Sequence, residues 1–177
     1  MGDILIYNFK VKSNIHDYEV QFINNFGQIL GSELCEGDFL IIDNNIRNLY
    51  SDDLAPSLEN CSSIGINANE HQKSYEGIMP IMQTLINEGF RKNHRLIAIG
   101  GGITQDITAF IASIMYRGVK WLFFPTTLLA QGDSCIGSKT SINFGEYKNQ
   151  VGGFYPPNKI YIHPEFLASL SENEVSS

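Results

Sequence analysis

Apolar positions recur along this chain with two different periods, and the alternation between them lays out its elements. Residues 3–11 (DILIYNFKV) and 17–23 (DYEVQFI) alternate apolar with polar, the period of a half-buried strand, and predict two antiparallel neighbours. Residues 39–42 (FLII) form a continuous apolar run, which suits a strand buried on both faces of a parallel sheet. Residues 62–68, 95–99, 121–124 and 159–162 read as further strands. Between them the period lengthens to that of a helix. Phe26, Ile29 and Leu30 share one side of a helix over 24–34, with Gly31 near its end. Residues 46–56 predict a weaker helix that stops before Pro56. Over 73–90, Tyr75, Ile78, Met79, Met82, Leu85 and Ile86 make one apolar face, and Gly89 is the stop. Pro80 inside that stretch costs about 3 kcal/mol in a regular helix interior, so a kink or a break is expected there. Ile107, Phe110, Ile111, Ile114 and Met115 form the last helical stripe, closed by Arg117-Gly118. Two antiparallel strands followed by repeated strand–helix units predict one α/β domain over 1–177, built on a mostly parallel sheet with flanking helices.

Charge narrows the function. With 12 Lys and Arg against 19 Asp and Glu, the net charge is −7, which supplies no basic stripe for nucleic acid. A local basic pocket for a small anion remains compatible with an acidic shell. The three cysteines (Cys35, Cys61, Cys135) are scattered and odd in number, so reduced cytosolic thiols are expected rather than a disulfide framework. The first residues show no basic segment followed by an apolar run, and no window approaches the roughly 18 apolar residues of a membrane span. The Met-Gly start lacks the hydroxyl residue that N-myristoylation wants, since Ile6 stands there. His16, His71, His94 and His163 have no metal-ligand spacing, and Cys135 has no histidine at a nucleophile-activating spacing.

Ligands of parallel α/β sheets bind beyond the carboxyl ends of the strands. Three predicted strand ends carry suitable residues: Asp43-Asn44-Asn45, Gly100-Gly101-Gly102 and Pro125-Thr126-Thr127. The three glycines open a helix, where bare backbone can approach a pyrophosphate and the helix N-terminus favours its charge. Their spacing resembles the Rossmann G-x-G-x-x-G, but Gln105 stands at the sixth position. A tight strand–helix turn without a ligand explains the triplet equally well. Asp106 suits either a ligand contact or the helix dipole, and Thr126 and Thr127 suit either ribose and phosphate or a capping turn. A polar loop follows, with Asp133, Lys139, Asn143, Lys148 and Asn149. Two lysines and two amides in one loop make a site for phosphate and hydroxyls.

The segments GGGITQD, MYRGVKWLFFPTTLLAQGDSCIGSKTSINF and KNQVGGFYPP resemble the N-terminal half of the sugar phosphate cyclases, the family of 3-dehydroquinate synthase. The resemblance covers roughly residues 37–177 and is strongest from 95 to 157. Asp43-Asn44-Asn45 and Asn69-Glu70-His71-Gln72-Lys73, which is similar to a Gly-Glu-x-x-Lys segment of the family, add to it. It implies a Rossmann-like NAD-binding domain in a two-domain, cytoplasmic, homodimeric enzyme whose helical second domain carries a divalent metal, zinc or cobalt. The implied reaction is a carbon–oxygen lyase cyclisation in the shikimate pathway, from 3-deoxy-arabino-heptulosonate 7-phosphate to 3-dehydroquinate and phosphate. NAD oxidises a hydroxyl, phosphate is eliminated, the ketone is reduced again, and ring opening with aldol closure follows.

Carried over by position, the resemblance implies NAD contacts for Asp43, Asn45, Glu70, Lys73, Gly101, Gly102, Ile103, Asp106, Thr126, Thr127 and Lys148, with Phe166 to Ser169 bordering the cofactor. It implies substrate contacts for Asp133, Lys139 and Asn149, and for Arg117 across a dimer interface. Four positions depart from the family pattern: Asn69, Gln105, Ser138 and Ser141 all replace glycines. The segment INFGEYKN lacks the usual Asn-His pair and Gly-Lys-Asn, and looks as much like the cyclases of sedoheptulose 7-phosphate. The family's metal ligands are expected beyond Ser177, so the chain is expected to be the NAD-binding half of a longer protein, without cyclase activity alone. Two alternatives stay open: a metal-dependent polyol dehydrogenase of the same superfamily, and a non-catalytic NAD- or phosphate-binding module.

Overall fold

A computed structural model of the chain describes residues 8–169; positions 3–7 of the first predicted strand and the polar tail after 169 lie outside the described residues. The elements are β1 (Phe9–Val11), β2 (Tyr18–Phe22), α1 (Phe26–Glu33), β3 (Phe39–Asp43), α2 (Asn44–Leu49), α3 (Ser51–Asn60), β4 (Ser62–Ile66), α4 (Tyr75–Asn87), β5 (Arg95–Gly100), α5 (Gly102–Ile114), β6 (Lys120–Pro125), α6 (Leu128–Gly132), β7 (Lys139–Phe144), β8 (Tyr147–Phe154) and β9 (Lys159–Ile162). Short 3-10 turns follow α5, α6 and β9, the last being Pro164–Ser169.

Seven strands form one sheet in the order β1-β2-β9-β6-β5-β3-β4. Among the described residues only the β1–β2 pair of this sheet is antiparallel; every other neighbour in it runs parallel. The parallel strands alternate their side chains between two cores. Phe39, Ile41, Leu96, Ala98, Trp121 and Phe123 meet Ile78, Ile81 and Leu85 of α4 and Ile107, Phe110 and Ile111 of α5. Leu40, Ile42, Ile97, Ile99, Leu122 and Phe124 meet Phe26 and Leu30 of α1, Ile46 of α2, Leu54 of α3 and Phe166. That burial on both faces is why these strands are continuous apolar runs, and each fully buried Leu, Ile or Phe contributes roughly 1.5–3 kcal/mol.

Leaving the β1–β2 pair aside, the order β4-β3-β5-β6-β9 reverses direction between β3 and β5. The chain moves outward from β3 to β4 and then returns past β3 to lay down β5. Such a reversal opens a crevice at the carboxyl ends of the two strands.

Three sequence expectations need correction. The stretch 133–149 is not a loop throughout: β7 and β8 form a separate antiparallel hairpin from it, with the ladder shifted between Ile142 and Phe144. Residues 46–56 do not make one helix stopping at Pro56, because α2 ends at Leu49 and α3 runs through Pro56. Pro80 does not break α4 either. Both prolines fall in the second turn of their helices, where the missing N–H leaves an acceptor near the exposed N-terminus unbonded rather than one in the core.

At the amino ends of the strands, Asp38 is buried and accepts from Arg95 Nη2 at 2.6 Å and Nε at 3.0 Å. Glu33 joins the pair, bonded by Lys159 at 3.2 Å. After α5 the chain turns through three consecutive left-handed residues, Tyr116, Arg117 and Gly118 (φ 50, 63 and 102). The turn is pinned by the Tyr116 hydroxyl, which donates to Phe90 O at 2.7 Å, and by Lys92, whose ammonium donates to Gly118 O.

Candidate functional site

A cleft of about 560 Å³ opens where the sheet order reverses, beyond the ends of β3, β4, β5 and β6. Asp43, Asn45, Glu70, Lys73, Gly101, Gly102, Ile103, Asp106, Thr126 and Thr127 all line it. Sequence positions from 43 to 127 therefore converge on one volume. Ile46, Leu49, Ala68, Leu129 and Ser134 complete the lining. The sequence did not single these out as site residues: an apolar side chain on a cleft wall has the same signature as one in the core, and Ser134 reads as an ordinary turn residue.

The cleft floor is the start of α5. Four other helix starts are closed by side chains: Asn25 accepts from Gln28 N, Asp43 from Asn45 N, Ser74 from Gly77 N and Thr127 from Ala130 N, while α3, after Tyr50, has no side-chain cap. Helix α5 follows Gly101, which has no side chain to cap it. Its first-turn N–H groups and its dipole therefore face the cleft. Gly100 has an internal reason to be glycine, since a Cβ there would lie 2.4 Å from Thr104 Oγ1. Gly102 has none: a Cβ there would approach nothing closer than Ser134 Oγ at 3.9 Å. Thr126 is buried on the cleft wall with no partner for its hydroxyl. Gln105, a departure from the expected glycine, has a structural task. Its amide donates to Ser134 O at 2.7 Å and accepts from Ser134 Oγ at 3.0 Å, tying α5 to the turn after α6.

One wall carries charge. Lys73 is buried and bonds Asp106 Oδ2 at 2.7 Å. Burial raises the Asp106 carboxyl above its ordinary value, against the pull of Lys73. Glu70 is lowered, first by the hydrogen bond from Asn143, with Lys73 and Lys148 adding to it. The charge of Lys139 acts on Asp106 and that of Lys148 on Glu70, so both lysines border the cleft although neither lines it.

Asn143 holds this arrangement together. At the irregular point of the β7–β8 ladder, its backbone N donates to Lys73 O at 2.8 Å. Its side-chain NH₂ donates to Glu70 Oε2 at 2.8 Å and to Glu70 O at 3.0 Å, and its oxygen accepts from Asn149 N at 3.0 Å. One buried amide thus joins the cofactor-side wall to the hairpin that carries Lys139, Lys148 and Asn149. Truncating Asn143→Ala is expected to return the Glu70 titration toward its ordinary value, as followed by carboxyl NMR. A depressed carboxylate adds stability at neutral pH that is lost as pH falls through its lowered value. The variant should therefore lose part of that stability, with the acid limb of its unfolding curve moved to higher pH. Amides 145–150 should also exchange faster; unchanged exchange would argue against the link.

The remaining predicted residues do not line the cleft. Asp133 is exposed at the end of α6, Lys139 begins β7, and Asn149 is exposed and left-handed (φ 55) on β8. Arg117 lies past the far end of α5, roughly 20 Å from Gly102 at 1.5 Å per residue. Phe166 is fully buried against Phe26, Tyr50 and His163 and belongs to the second core rather than to the cleft lining. Ser169 closes the last 3-10 turn.

Residues 63–177 match the family described as 3-dehydroquinate synthase N-terminal. The 3-dehydroquinate synthase of Pelagibacter ubique is 39% identical over 178 residues, covering 96% of this chain and 48% of that protein. Among solved structures, 2-epi-5-epi-valiolone synthase from Streptomyces hygroscopicus, with NAD+ and Zn2+ bound, superimposes with a TM-score of 0.80 at 29% identity, over 94% of this chain and 47% of its own. A 2-deoxy-scyllo-inosose synthase complexed with carbaglucose-6-phosphate, NAD+ and Co2+ gives 0.82 at 19% identity, over 95% of this chain and 49% of its own, a likeness of fold. The chain spans about half the length of the relatives it matches.

Proposed function

The chain belongs to the 3-dehydroquinate synthase family, and we propose that it is the NAD-binding domain of a 3-dehydroquinate synthase, acting on 3-deoxy-arabino-heptulosonate 7-phosphate. The observation that carries this reading is Gly102, a glycine the fold does not need, at an uncapped helix start beside the partnerless Thr126 hydroxyl. Bare backbone and helix dipole suit a pyrophosphate, and the cleft volume falls in the usual range for a small-molecule site.

In this reading Gly101, Gly102 and Ile103 hold the pyrophosphate. Asp106, steadied by Lys73, accepts from a ribose hydroxyl, and Thr126 and Thr127 donate or accept beside it. Asp43, Asn45 and Glu70 bound the adenosine end, with Ile46, Leu49 and Ala68 as its apolar surface. Lys148 adds positive charge at the rim. Bound NAD supplies a hydride acceptor that turns a substrate hydroxyl into a ketone and later returns the hydride. Lys139 and Asn149 bind substrate phosphate and hydroxyls, and Asp133 accepts from a hydroxyl. Phe166 supports the cofactor site from beneath, and the Phe166 to Ser169 stretch runs along its border.

Among the described residues no group of three or more His, Cys, Asp or Glu side chains is placed to hold a metal. We assign the zinc or cobalt of this chemistry to residues other than these. Arg117 is too far from its own cleft to serve it, which supports a homodimer in which it reaches the substrate phosphate of the other copy. The free thiols Cys35, Cys61 and Cys135 favour a cytoplasmic setting.

Titration calorimetry with NAD tests the cofactor site: saturable heat below millimolar NAD is expected, and none at millimolar NAD would overturn the reading. The 177-residue chain alone is expected to form no dehydroquinate. Turnover by it would show that the metal site lies within 1–177. A second reading, a cyclase of sedoheptulose 7-phosphate, is favoured by Phe144-Gly145-Glu146-Tyr147 at the hairpin turn. Product analysis of an enzyme carrying this domain decides between them.

A further inference from the structure

Three of the four side chains that stand where the family pattern has glycine meet on one segment, the one that carries Asp133, Lys139 and Asn149. Gln105 is buried, and both ends of its amide bond Ser134, the residue after Asp133. Ser138 precedes Lys139 and is left-handed (φ 55), a conformation that suits glycine better than a residue with a Cβ. Its side chain bonds the Tyr18 hydroxyl, which itself donates to Ile136 O at 2.9 Å. Ser141 Oγ donates to Asn149 Oδ1 at 3.3 Å across the hairpin. The fourth, Asn69, accepts from Gln72 N at 2.8 Å on the cofactor-side wall.

The turn between Asp133 and Lys139 is thus held from several elements at once. Gln105 of α5 grips Ser134, Tyr18 of β2 grips Ile136, and Tyr155 N, just past β8, donates to Ser138 O at 2.8 Å. Between these anchors the Cys135 side chain is fully buried. On the hairpin, Asn149 keeps its amide N–H groups to donate while Ser141 engages its oxygen. A glycine at 105, 138 or 141 would delete the tether at that point. Ser138 separates site from fold most sharply. Its backbone would be better served by glycine, so the fold alone does not account for its side chain.

We propose that Gln105, Ser138 and Ser141 are positioning residues, which hold Asp133, Lys139 and Asn149 in their arrangement for substrate phosphate and hydroxyls before the ligand arrives. The inference rests on the substrate roles proposed above and adds residues that touch no ligand themselves. A lysine or amide on a free loop has to be ordered as the ligand binds, and that entropy is subtracted from affinity. Tethers already made in the free chain remove the loss. The charge of Lys139 acts on Asp106 in the cleft, so the tethered turn borders the cofactor region.

NMR titration of the chain with inorganic phosphate, read at the Lys139 and Asn149 amides, tests this beside calorimetry with NAD. The wild-type chain is expected to give saturable shifts. Ser138→Gly and Ser141→Gly should each raise the phosphate dissociation constant about threefold, and the pair combined with Gln105→Ala at least about tenfold. Both single variants should keep NAD affinity within about twofold and melt within a few degrees of wild type, so that weaker phosphate binding is not weaker folding. Ser141→Thr, which keeps a hydroxyl, should bind phosphate as the wild type does. Wild-type phosphate affinity in Ser138→Gly and Ser141→Gly would overturn the positioning role. A wild-type chain that binds NAD but no phosphate would overturn it too, and leave the cofactor reading standing. Variants that lose phosphate affinity in a chain that takes up no NAD would uphold the positioning and overturn the cofactor site.

Discussion

Gly102→Leu should abolish NAD binding at millimolar cofactor, a loss of at least about a hundredfold, while the fold keeps its stability. The two halves of that expectation have separate causes. The new Cβ meets nothing within 3.9 Å, and the residue has ordinary negative-φ backbone at the first position of α5, so the fold has no cause to resist it. Leucine is also the better helix former by up to about 0.8 kcal/mol, less at a helix end. The side chain, however, projects into the cleft over the first-turn N–H groups. A bound pyrophosphate would lose hydrogen bonds to charged oxygens worth roughly 1.5–3 kcal/mol each and would have no room to shift. Calorimetry gives the binding half and a thermal melt the other. Unchanged NAD affinity would move the cofactor away from α5, and a fall in melting temperature of more than a few degrees would mean that Gly102 serves the fold.

Asp38→Ala should cost about 3 kcal/mol of stability, with NAD affinity unchanged. Asp38 lies at the amino ends of the strands, across the sheet from the cleft, and its side chain is 1% exposed. It accepts two bonds from Arg95 and a third from Cys35 N at 2.8 Å. Arg95 is itself raised by that pairing and cannot shed its charge to escape. Removing Asp38 leaves a largely buried cation facing only Glu33. Breaking a fully buried pair costs roughly 3–5 kcal/mol; partial exposure of Arg95 argues for the low end. In a chain of this size that corresponds to a drop of roughly 6–12 °C in melting temperature. Asp38→Leu combined with Arg95→Met should recover part of the loss, because no charge is then stranded. A drop of less than a few degrees in Asp38→Ala would show that water reaches Arg95.

The two mutations sample opposite ends of a sheet whose strands were legible in the sequence for one reason. Residues 39–42, 96–99 and 121–124 are buried on both faces, so every position had to be apolar. The hairpin was not legible. Its strand Tyr147–Phe154 is exposed along nearly all its length, so no burial pattern marks it, and Gly152-Gly153 reads as a turn. The prolines misled because their cost depends on where they fall in a helix, which a sequence window without a secure start does not fix. In α4 the predicted face was too wide: Ile78, Ile81 and Leu85 are buried while Tyr75, Met79 and Ile86 stay exposed, and spacing alone does not separate them. The strand-end residues of the cleft were legible individually as polar or glycine. That Asp43 and Gly102 share a wall follows only from the reversal of strand order, which no local pattern carries. The link through Asn143 joins positions 70, 73 and 149 and was beyond reach for the same reason.

The strand order has one more consequence, and it concerns time. The β1–β2 pair leaves the ribosome before the rest of this sheet, yet among the described residues its parallel neighbour is β9, with Val20 opposite Ile160. At 5–20 residues per second, on the order of ten seconds separates the synthesis of the two. Through that interval the Tyr18–Phe22 edge, which ends with its side chains in the main core, has no strand to dock on. The rest of the sheet, β4-β3-β5-β6, can form without it. The β1–β2 pair is therefore made before the strands it joins and incorporated last, and nascent chains stalled before residue 159 should leave it open to protease while β3, β5 and β6 are already protected.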